Sequence, residues 1–542
     1  RIGKKFVRLR WQFWVILIVV VAVAGVFACK AIIGTTWWQS FATDNPCLLP
    51  GQGSFDYPAW LRALHWFNVL LMLILLKSGI QILADHPRLY PHIHSTPDRE
   101  WLRFRGPVPK DRVWTALDDS THLNSWMGLP GGRHTSGMAR HWHFFAVAGW
   151  LLVGAAFIIL LFATGQWRQI VPTTTEMVPS ALTCGVTYGS LAIPAGEEAA
   201  AAYNSLQLLV YFSVVFIAAP LLILTGLAQA PAVSHRYKWF IRLFGNRQMA
   251  RSIHFLLWLY VVIFLIIHII LVAVTGLARN MNHIVLGTSG HDWTGTIIGL
   301  VIIAVICLVL WWANWISWAK PRAVQRGFER IAQHFNRLVF GKMVPRVQWK
   351  EKDISPYLWP NGAPPKSKEF DQHLATDFRD YRLEVGGLVE NPHEFSLDEL
   401  RNLGKSEQIT EHDCVQGWSG VAKWGGVQMS KILDVVKPKP EARYAVFYAF
   451  TDDGPKAKPT YYDVHDLWQM REPESIVAWE MNGEPLPLIH GTPLRLRNER
   501  QVGFKQVKWI KSIEFRDEYA SLFDGQGGFR PDNEYQARTT DM

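Results

Sequence analysis

Cys414 lies in the run His412-Asp413-Cys414-Val415-Gln416-Gly417-Trp418-Ser419. A thiolate presented by a polar, glycine-bearing loop can bind a soft metal centre. Upstream, His65, His143, His254 and His268 fall inside long apolar segments, with His141 beside His143. Ionisable groups within a membrane span are costly and mark function by default. Paired imidazoles there can hold haem iron. Thiolate and histidines together describe an electron path within one polypeptide. The plainer alternatives are a packing cysteine and histidines that bond neighbouring carbonyls.

The elements that must position these groups divide the chain in two. Residues before about 320 are apolar and tryptophan-rich; residues after about 349 mix Pro, Gly and charge as a soluble domain does. Segments 13–34, 61–83, 142–165, 206–228, 253–276 and 293–315 are long and apolar enough to span a bilayer, the last reading as the weakest. The formal net charge of +10 is not a nucleic-acid signal, because it concentrates in loops between spans. Arg88 to Arg140 supply eight cations after the second span, and Arg236, Lys238, Arg242, Arg247 and Arg251 follow the fourth. The other loops hold Asp44, Asp56, Glu176, Glu197 and Glu198. The positive-inside rule then places the N-terminus and the C-terminal domain in the cytoplasm. No twin-arginine or cleavable leader pattern is visible.

That topology sorts the histidines by depth. His254 and His268 are fourteen residues apart, close to a whole number of turns, so they share a helix face about 21 Å apart along the axis. His143 matches His254 near the inner surface, and His65 matches His268 near the outer one. Such pairs suit two electron-transfer haems with no open iron position. His141 remains the alternative to His143. Lys77 either meets a haem propionate or snorkels to the interface.

Cys29 and Cys307 read as small buried hydrophobes. Cys47 and Cys184 fall in outward loops, where a bridge is open to them. Val324, Phe328, Ile331, Phe335 and Leu338 recur at helical spacing among arginines, as in a helix lying on the inner membrane surface. An ordinary surface helix is the alternative.

The soluble part reads as strand-rich. Strands are expected over 381–389, into Cys414, and over 444–451, 476–481, 494–497 and 508–515. Ser396 to Glu399 forms a capping box, a helix follows over 430–436, and Asn482-Gly483 is a tight turn. No GxGxxG, P-loop or CxxC is present. Arg495, Arg497, Lys505 and Lys508, with His490 nearby, form a basic cluster able to hold a phosphate, or else a solvated basic face.

The membrane section resembles the di-haem cytochrome b subunits of formate dehydrogenase and thiosulfate reductase. The resemblance rests on Arg62-Ala63-Leu64-His65-Trp66, Ser78-Gly79, Arg140-His141-Trp142-His143-Phe144-Phe145, Arg251-Ser252-Ile253-His254 and His268. It implies two b-type haems and exchange of electrons with a quinone. The first span, the sixth and the loop 85–138 lie outside that resemblance.

Residues 357–515 resemble the molybdopterin domain of the sulfite oxidase family, which includes the catalytic subunit of protein-methionine-sulfoxide reductase. The motifs are Asn361-Gly362, the Cys414 loop, Glu480-Met481-Asn482-Gly483-Glu484-Pro485-Leu486-Pro487, His490-Gly491-Thr492-Pro493-Leu494-Arg495, and Gly503-Phe504-Lys505-Gln506-Val507-Lys508-Trp509-Ile510. The resemblance implies that Cys414 ligates molybdenum. It implies that Asn361, His490, Arg495, Lys505, Gln506, Val507 and Lys508 hold the pterin and its phosphate. Tyr461 matches the family's active-site tyrosine, with Tyr462 as alternative. Cys414 is followed by Val-Gln-Gly-Trp-Ser, closer to the sulfoxide-reductase branch than to sulfite oxidases. Lys423, the nearest basic residue after the loop, is a candidate contact for an anionic substrate or a surface lysine.

The expected architecture is multi-domain: an all-α transmembrane bundle followed by a mixed α+β, strand-rich molybdopterin domain. Its segments are an extra span and loop (1–60), a di-haem bundle (61–316), a basic amphipathic linker (317–348), the molybdopterin domain (349–520) and a tail (521–542). The expected function is a molybdenum oxidoreductase of a bacterial inner membrane, coupling a two-electron or oxygen-atom-transfer reaction to quinone through two b haems. Sulfoxide reduction and sulfite oxidation are both open, as are further redox subunits. The alternative is a haem-only membrane electron carrier with a non-catalytic docking domain.

Overall fold

The computed structural model describes residues 2–49, 57–194, 203–328, 330, 349–454, 461–519 and 521–522, with side chains from residue 16 onward. Among the described residues, six helices are long and apolar enough to cross a membrane: α1 (Ile2–Ile33, apolar over Ile16–Ile33), α2 (Ala59–Asp85), α3 (Ser136–Ala163), α4 (Ser205–Gln229), α5 (Arg247–Val274) and α6 (Thr294–Ala319). Each agrees with an expected span to within a turn or two. The second span, not the sixth, is the least apolar of the six, because it carries Arg62, Lys77 and Gln81. A π-helical stretch, Ser213–Ala218, interrupts α4.

The chain forms two compact units. One comprises Arg1–Leu70, Gly149–Ile223 and Leu257–Cys307. It holds a disulfide between Cys47 and Cys184, so the pairing left open by the sequence is made. Arg62 donates to the Val285 carbonyl at 2.8 Å and Trp66 to that of Ile284 at 3.3 Å, tying α2 to the segment after α5.

The other unit comprises Leu71–Ala148, Leu224–Leu256 and Leu308–Met542. Asp85 ends α2 and accepts from the backbone N–H of His134 at 2.8 Å and of Ser136 at 2.7 Å. A buried carboxylate thus satisfies donors that the start of α3 leaves unpaired. Lys77 does not reach solvent alone: its ammonium donates to the carbonyls of Ser125 and Trp126 at 2.8 and 2.7 Å. Residues 321–328 are helical, and Phe328 packs on Trp142 with ring centres 5.5 Å apart. Ile331, Phe335 and Leu338 of the expected linker helix lie outside the described residues, as do Asp56, Glu197, Glu198 and most of the tail.

Among the described residues, the strand-rich part of this unit has two sheets. β1 (Arg382–Gly387), β2 (His393–Ser396), β5 (Tyr444–Ala449), β6 (Tyr462–Asp466) and β10 (Ile510–Arg516) form one, in the order β2-β1-β10-β5-β6, with only β1 and β10 parallel. The other has the order β8-β7-β4-β3, where β3 is Ser406–Asp413, β4 Ser419–Gln428, β7 Ser475–Met481 and β8 Glu484–Pro485; β9 (Arg495–Asn498) also pairs with β7. The alternating apolar residues Leu383, Phe395, Phe447, Val477, Leu496, Ile513 and Phe515 enter one shared core. The expected capping box forms: Ser396 accepts from the Glu399 backbone, and Glu399 accepts from that of Ser396 at 2.7 Å. β4, β6 and the short β2 lacked a clear sequence signal, β4 because Gly420, Gly425 and Gly426 break its apolar alternation.

Candidate active site

β3 carries the site on its two faces. Successive side chains along a strand point opposite ways. Thr410 and His412 face Arg497: its guanidinium lies 2.7 Å from His412 Nδ1 and 3.3 Å from Thr410 Oγ1. Glu411 and Asp413 face the other way. There His235 Nε2 is 2.7 Å from Asp413 and 3.9 Å from Glu411, and Arg247 of α5 is ion-paired with Asp413.

The strand then turns. Cys414 N–H donates to Trp418 at 3.0 Å and Gly417 N–H to Cys414 at 2.9 Å, closing a loop between the paired residues Asp413 and Ser419. Gly417 has φ +98°, where a side chain is strained, and a Cβ there would meet the Arg251 guanidinium at 3.2 Å. The loop is fixed from outside. Gln416 Nε2 donates to the carbonyls of Asp85 and Ala116 at 3.1 and 3.3 Å. Ser419 N–H donates to Ser95 Oγ at 3.1 Å, and Gln248 of α5 donates to the Gly417 carbonyl at 3.0 Å. The segment 85–138, which the sequence left unexplained, is therefore a support for the Cys414 loop.

Cys414 is buried in a cluster with Trp359, Trp418, Trp424 and Leu486. Burial pushes its thiol up to about 12, so without a metal it keeps its proton. A metal ligated there would remove that proton outright.

Beyond β3 lies a cradle of buried cations. Arg497 is matched by Glu499 at 2.8 Å, and Lys505 by Asp463. Arg495 and Lys508 form no ion pair among the described residues. Arg495 donates to the His490 carbonyl at 3.0 Å and stacks 4.5 Å from the centre of Trp424, while its Nε has no partner among the described residues. Lys508 donates to the carbonyls of Ile489, at 3.0 Å, and Asn361.

The electrostatic consequence is large. Burial, then Arg497, pulls Arg495 down to about 9. Burial and then Arg495 pull Lys508 well below the usual lysine range, and burial with the same two cations pulls His490 down to about 3. A buried anion is what this arrangement lacks, and a phosphate between Arg495 and Lys508 fits it.

The remaining expected residues divide. Asn361, His490, Arg495 and Lys508 are brought together. Gln506 and Lys505 sit beside them, but Gln506 Nε2 serves the carbonyls of Asn498 and Gln501, at 2.6 and 2.9 Å, and Lys505 serves Asp463. Val507 is buried and offers its carbonyl to Leu496 N–H at 2.8 Å. Tyr461 reaches the Phe504 carbonyl at 3.2 Å, next to the cradle, with its hydroxyl pushed up by burial. Tyr462 points to the opposite side, into a cluster with Val446 and Val464. Lys423 is held by Glu407 at 3.0 Å and Glu351 at 3.3 Å, and its described contacts include neither Cys414 nor the cradle.

Each unit holds one of the expected histidine pairs. His143 and His254 are electrostatic neighbours in one, His65 and His268 in the other. His143 Nδ1 lies 3.0 Å from Ser78 Oγ, whose own hydrogen is directed to the Ile74 carbonyl at 2.7 Å. Ser78 must then accept, so His143 carries its proton on Nδ1 and presents a lone pair at Nε2. His254 Nδ1 lies 2.9 Å from Thr225 Oγ1 and His268 Nδ1 3.3 Å from the Tyr211 hydroxyl. Occupied Nδ1 atoms of this kind orient imidazoles for iron. His65 Nδ1 has no partner among the described residues. His141 turns elsewhere: its Nδ1 bonds the Gly137 carbonyl at 3.0 Å, and its ring packs on Phe328.

Sequence alone did not point to His235, Arg247 or Gln248 as parts of the site. Arg247 reads there only as a topology charge. The Glu411/Asp413 alternation just before the cysteine was the signal available.

Comparison with known proteins agrees with both halves. Residues 56–287 match the family described as prokaryotic cytochrome b561, and residues 371–523 match the oxidoreductase molybdopterin binding domain. The putative protein-methionine-sulfoxide reductase subunit YedZ1 of Azospira oryzae is 32% identical over 165 residues, covering 30% of this chain and 58% of that protein. The protein-methionine-sulfoxide reductase catalytic subunit MsrP of Xanthomonas axonopodis pv. citri is 34% identical over 145 residues, 25% of this chain and 44% of that one. The NADPH nitrate reductase of Fusarium oxysporum is 31% identical over 165 residues, 26% of this chain and 18% of that one. The chain thus spans 58% of YedZ1 and 44% of MsrP. It joins a cytochrome b561-type, multi-pass membrane section to a molybdopterin-binding oxidoreductase domain, with haem b and molybdopterin as the cofactors.

Proposed function

We propose that this protein reduces a sulfoxide or similar oxide with electrons from a membrane quinol. The observation that carries the reading is the pair of buried, carboxylate-free cations, Arg495 and Lys508, beside the strand that ends at Cys414. Cys414 would bind the molybdenum. Asn361, His490, Arg495 and Lys508 would hold the pterin phosphate; Lys505, Gln506 and Val507 shape the cradle wall from behind. Molybdopterin, when bound, supplies the two-electron couple that oxygen-atom exchange needs. Tyr461, at the cradle edge, would orient the substrate oxygen through its hydroxyl, which burial keeps protonated.

His143 with His254, and His65 with His268, would each ligate one b haem through Nε2 and pass electrons singly toward Cys414. Ser78 and Thr225 hold the first pair in orientation. The names of the MsrP and YedZ1 relatives favour sulfoxide reduction over sulfite oxidation. The loop after Cys414 lacks the arginine expected beside an anionic substrate, and Lys423 is committed to carboxylates. The cytoplasmic side is proposed for the molybdopterin domain from the loop charges. The Cys47–Cys184 disulfide supports an oxidising compartment for the other side.

The test is metal analysis with a haem spectrum on detergent-purified protein, followed by oxidant challenge. About one molybdenum and two b haems per chain are expected. Methionine sulfoxide or dimethyl sulfoxide should then reoxidise quinol-reduced haem, and sulfite should not reduce it. Haem without molybdenum would leave the electron-carrier reading.

A further inference from the structure

Cys414, the cradle and the histidine pairs account for oxide chemistry and electron transfer. A buried group of titratable residues lies outside them: Glu411, Asp413 and His235, whose ligand atoms all lie within 4.8 Å of one another. A metal ion is a poor occupant. Asp413 already accepts from both His235 and Arg247, which together neutralise it. Glu411 differs. Its side chain is 5% exposed, and its Oε1 has no hydrogen-bond partner among the described residues. A buried carboxylate oxygen without a donor is costly unless the group exchanges protons.

Glu411 also has a route to bulk water. It lines a cleft of about 240 Å³, with Ser234, Lys238, Arg242, Asn246, Arg247 and Asp353 among its walls. On its inner side Glu411 meets His235 at 3.9 Å, which meets Asp413 at 2.7 Å, the residue before Cys414. Asp413 in turn pairs with Arg247, seven residues before His254 on α5. Seven helical residues rise about 10 Å. The acid therefore sits on the strand that leads into Cys414 and is linked through His235, Asp413 and Arg247 to the helix that carries a candidate haem ligand.

We propose that Glu411 is the proton-uptake group of this protein, binding a proton from the cleft when an electron reaches the His143–His254 pair. This rests on the proposed function. Oxide reduction consumes protons: one sulfoxide, two electrons and two protons give one thioether and one water. The sulfur–oxygen bond breaks, its oxygen leaves as water, and quinol supplies both electrons while releasing its own protons. Each electron brought into a low-dielectric interior adds a negative charge that a nearby carboxylate feels strongly. Protonation of Glu411 offsets it.

The groups facing Glu411 set its working range. Asp413 on its own strand opposes ionisation; His235 and Arg247, from the segments flanking helical residues 238–242, favour it; Ser419 hydrogen-bonds it; Lys238, Arg242 and Asp353 line the cleft beyond. Burial first, then Asp413, lifts Glu411 to about 7, so it exchanges protons near neutrality. Burial pulls His235 down, but its bond to Asp413 outweighs this and holds it above the usual histidine range. His235 is then the standing countercharge, and Glu411 the group that changes.

The test is a spectroelectrochemical titration of the haem in the full-length, detergent-solubilised protein from about pH 6 to pH 8.5, across the range where Glu411 titrates. In the wild type the midpoint potential of one haem falls as pH rises. In Glu411→Gln that haem loses its pH dependence and stays near the wild-type low-pH value. Reduced-minus-oxidised infrared spectra of the wild type should also show a protonated-carboxyl band that Glu411→Asp shifts. A pH-independent wild-type potential, or a slope retained in Glu411→Gln, overturns the proposal. Absence of any haem signal would instead overturn the functional reading on which it rests. Should Glu411→Gln fail to fold, the infrared band in the wild type decides alone: no carboxyl band on reduction overturns it.

Discussion

Arg247, in the first turn of α5, is ion-paired with Asp413, the residue before Cys414, and both side chains are buried. One interaction therefore fixes the Cys414 strand to the helix bearing His254. A buried pair of this kind adds little net stability, yet removing one partner is expensive. Arg247→Ala leaves Asp413, with Glu411 beside it, only His235 as countercharge and should cost up to about 3–5 kcal/mol. Thermal unfolding followed by tryptophan fluorescence, with molybdenum retention measured alongside, checks it. Arg247→Lys should recover part of the loss, because a single ammonium still reaches one carboxylate oxygen.

Cys414→Ser should keep the haem spectrum and lose molybdenum and turnover together. Metal content and haem absorbance measured on one preparation read both. Retained turnover in the serine variant would refute molybdenum ligation by Cys414.

Ser78→Ala removes the acceptor that fixes the His143 tautomer. A lost support of this type typically weakens metal-site affinity by about 10–100-fold. Haem content after mild detergent washing should fall, and the effect should be larger for His143→Ala. His141→Ala should leave haem content unchanged, since its ring bonds the Gly137 carbonyl and packs on Phe328.

The cofactor-free protein should gain stability as pH rises. Lys508 is held well below its usual range and Arg495 at about 9, so the unfolded chain binds more protons than the folded one. Below the ordinary thiol range, above which Cys414 and Tyr461 pull the other way, stability then climbs with pH and falls as pH drops toward the folded lysine value. His490, held at about 3, extends the loss through the acid range. Melting temperatures from about pH 7 to about pH 8.5 on molybdenum-free protein measure the slope. Lys508→Met should flatten it and raise the neutral-pH value.

Much of this was legible before the fold was seen. The six spans were, because lipid demands long apolar runs and leaves few other solutions. So were the strands over 444–449 and 475–481, whose β-branched and aromatic residues alternate or run together. The cradle was visible as Arg495, Arg497, Lys505 and Lys508, but not its division of labour. Sequence spacing could not tell that Lys505 would meet Asp463 and Arg497 meet Glu499, leaving Arg495 and Lys508 unmatched. Nor could it link 85–138 to Cys414, because the contacts of Gln416 with Asp85 and Ala116 join residues about 300 positions apart.

Reduction of the Cys47–Cys184 bridge should destabilise the unit that contains it. The bridge closes a span of 137 residues. Native disulfides typically contribute about 2–5 kcal/mol, more for longer loops. Thermal scans with and without reductant give the difference. Labelling of the freed thiols by a membrane-impermeant maleimide in spheroplasts tests which side they face.

The two-faced strand β3 makes this fusion indivisible. Cutting the chain between residues 328 and 349 would release a fragment whose own sheets are complete. It would also carry Glu411 and Asp413 into water without His235 and Arg247, and expose the seat of Gln416 and Ser419. Attempts to graft the domain onto another membrane anchor must therefore transplant residues 85–138 and 231–251 with it. A one-residue deletion within β3 would be worse still. It would swap the strand's faces, turning the acid pair toward the cradle and bringing Cys414 to the place where Arg247 needs a carboxylate.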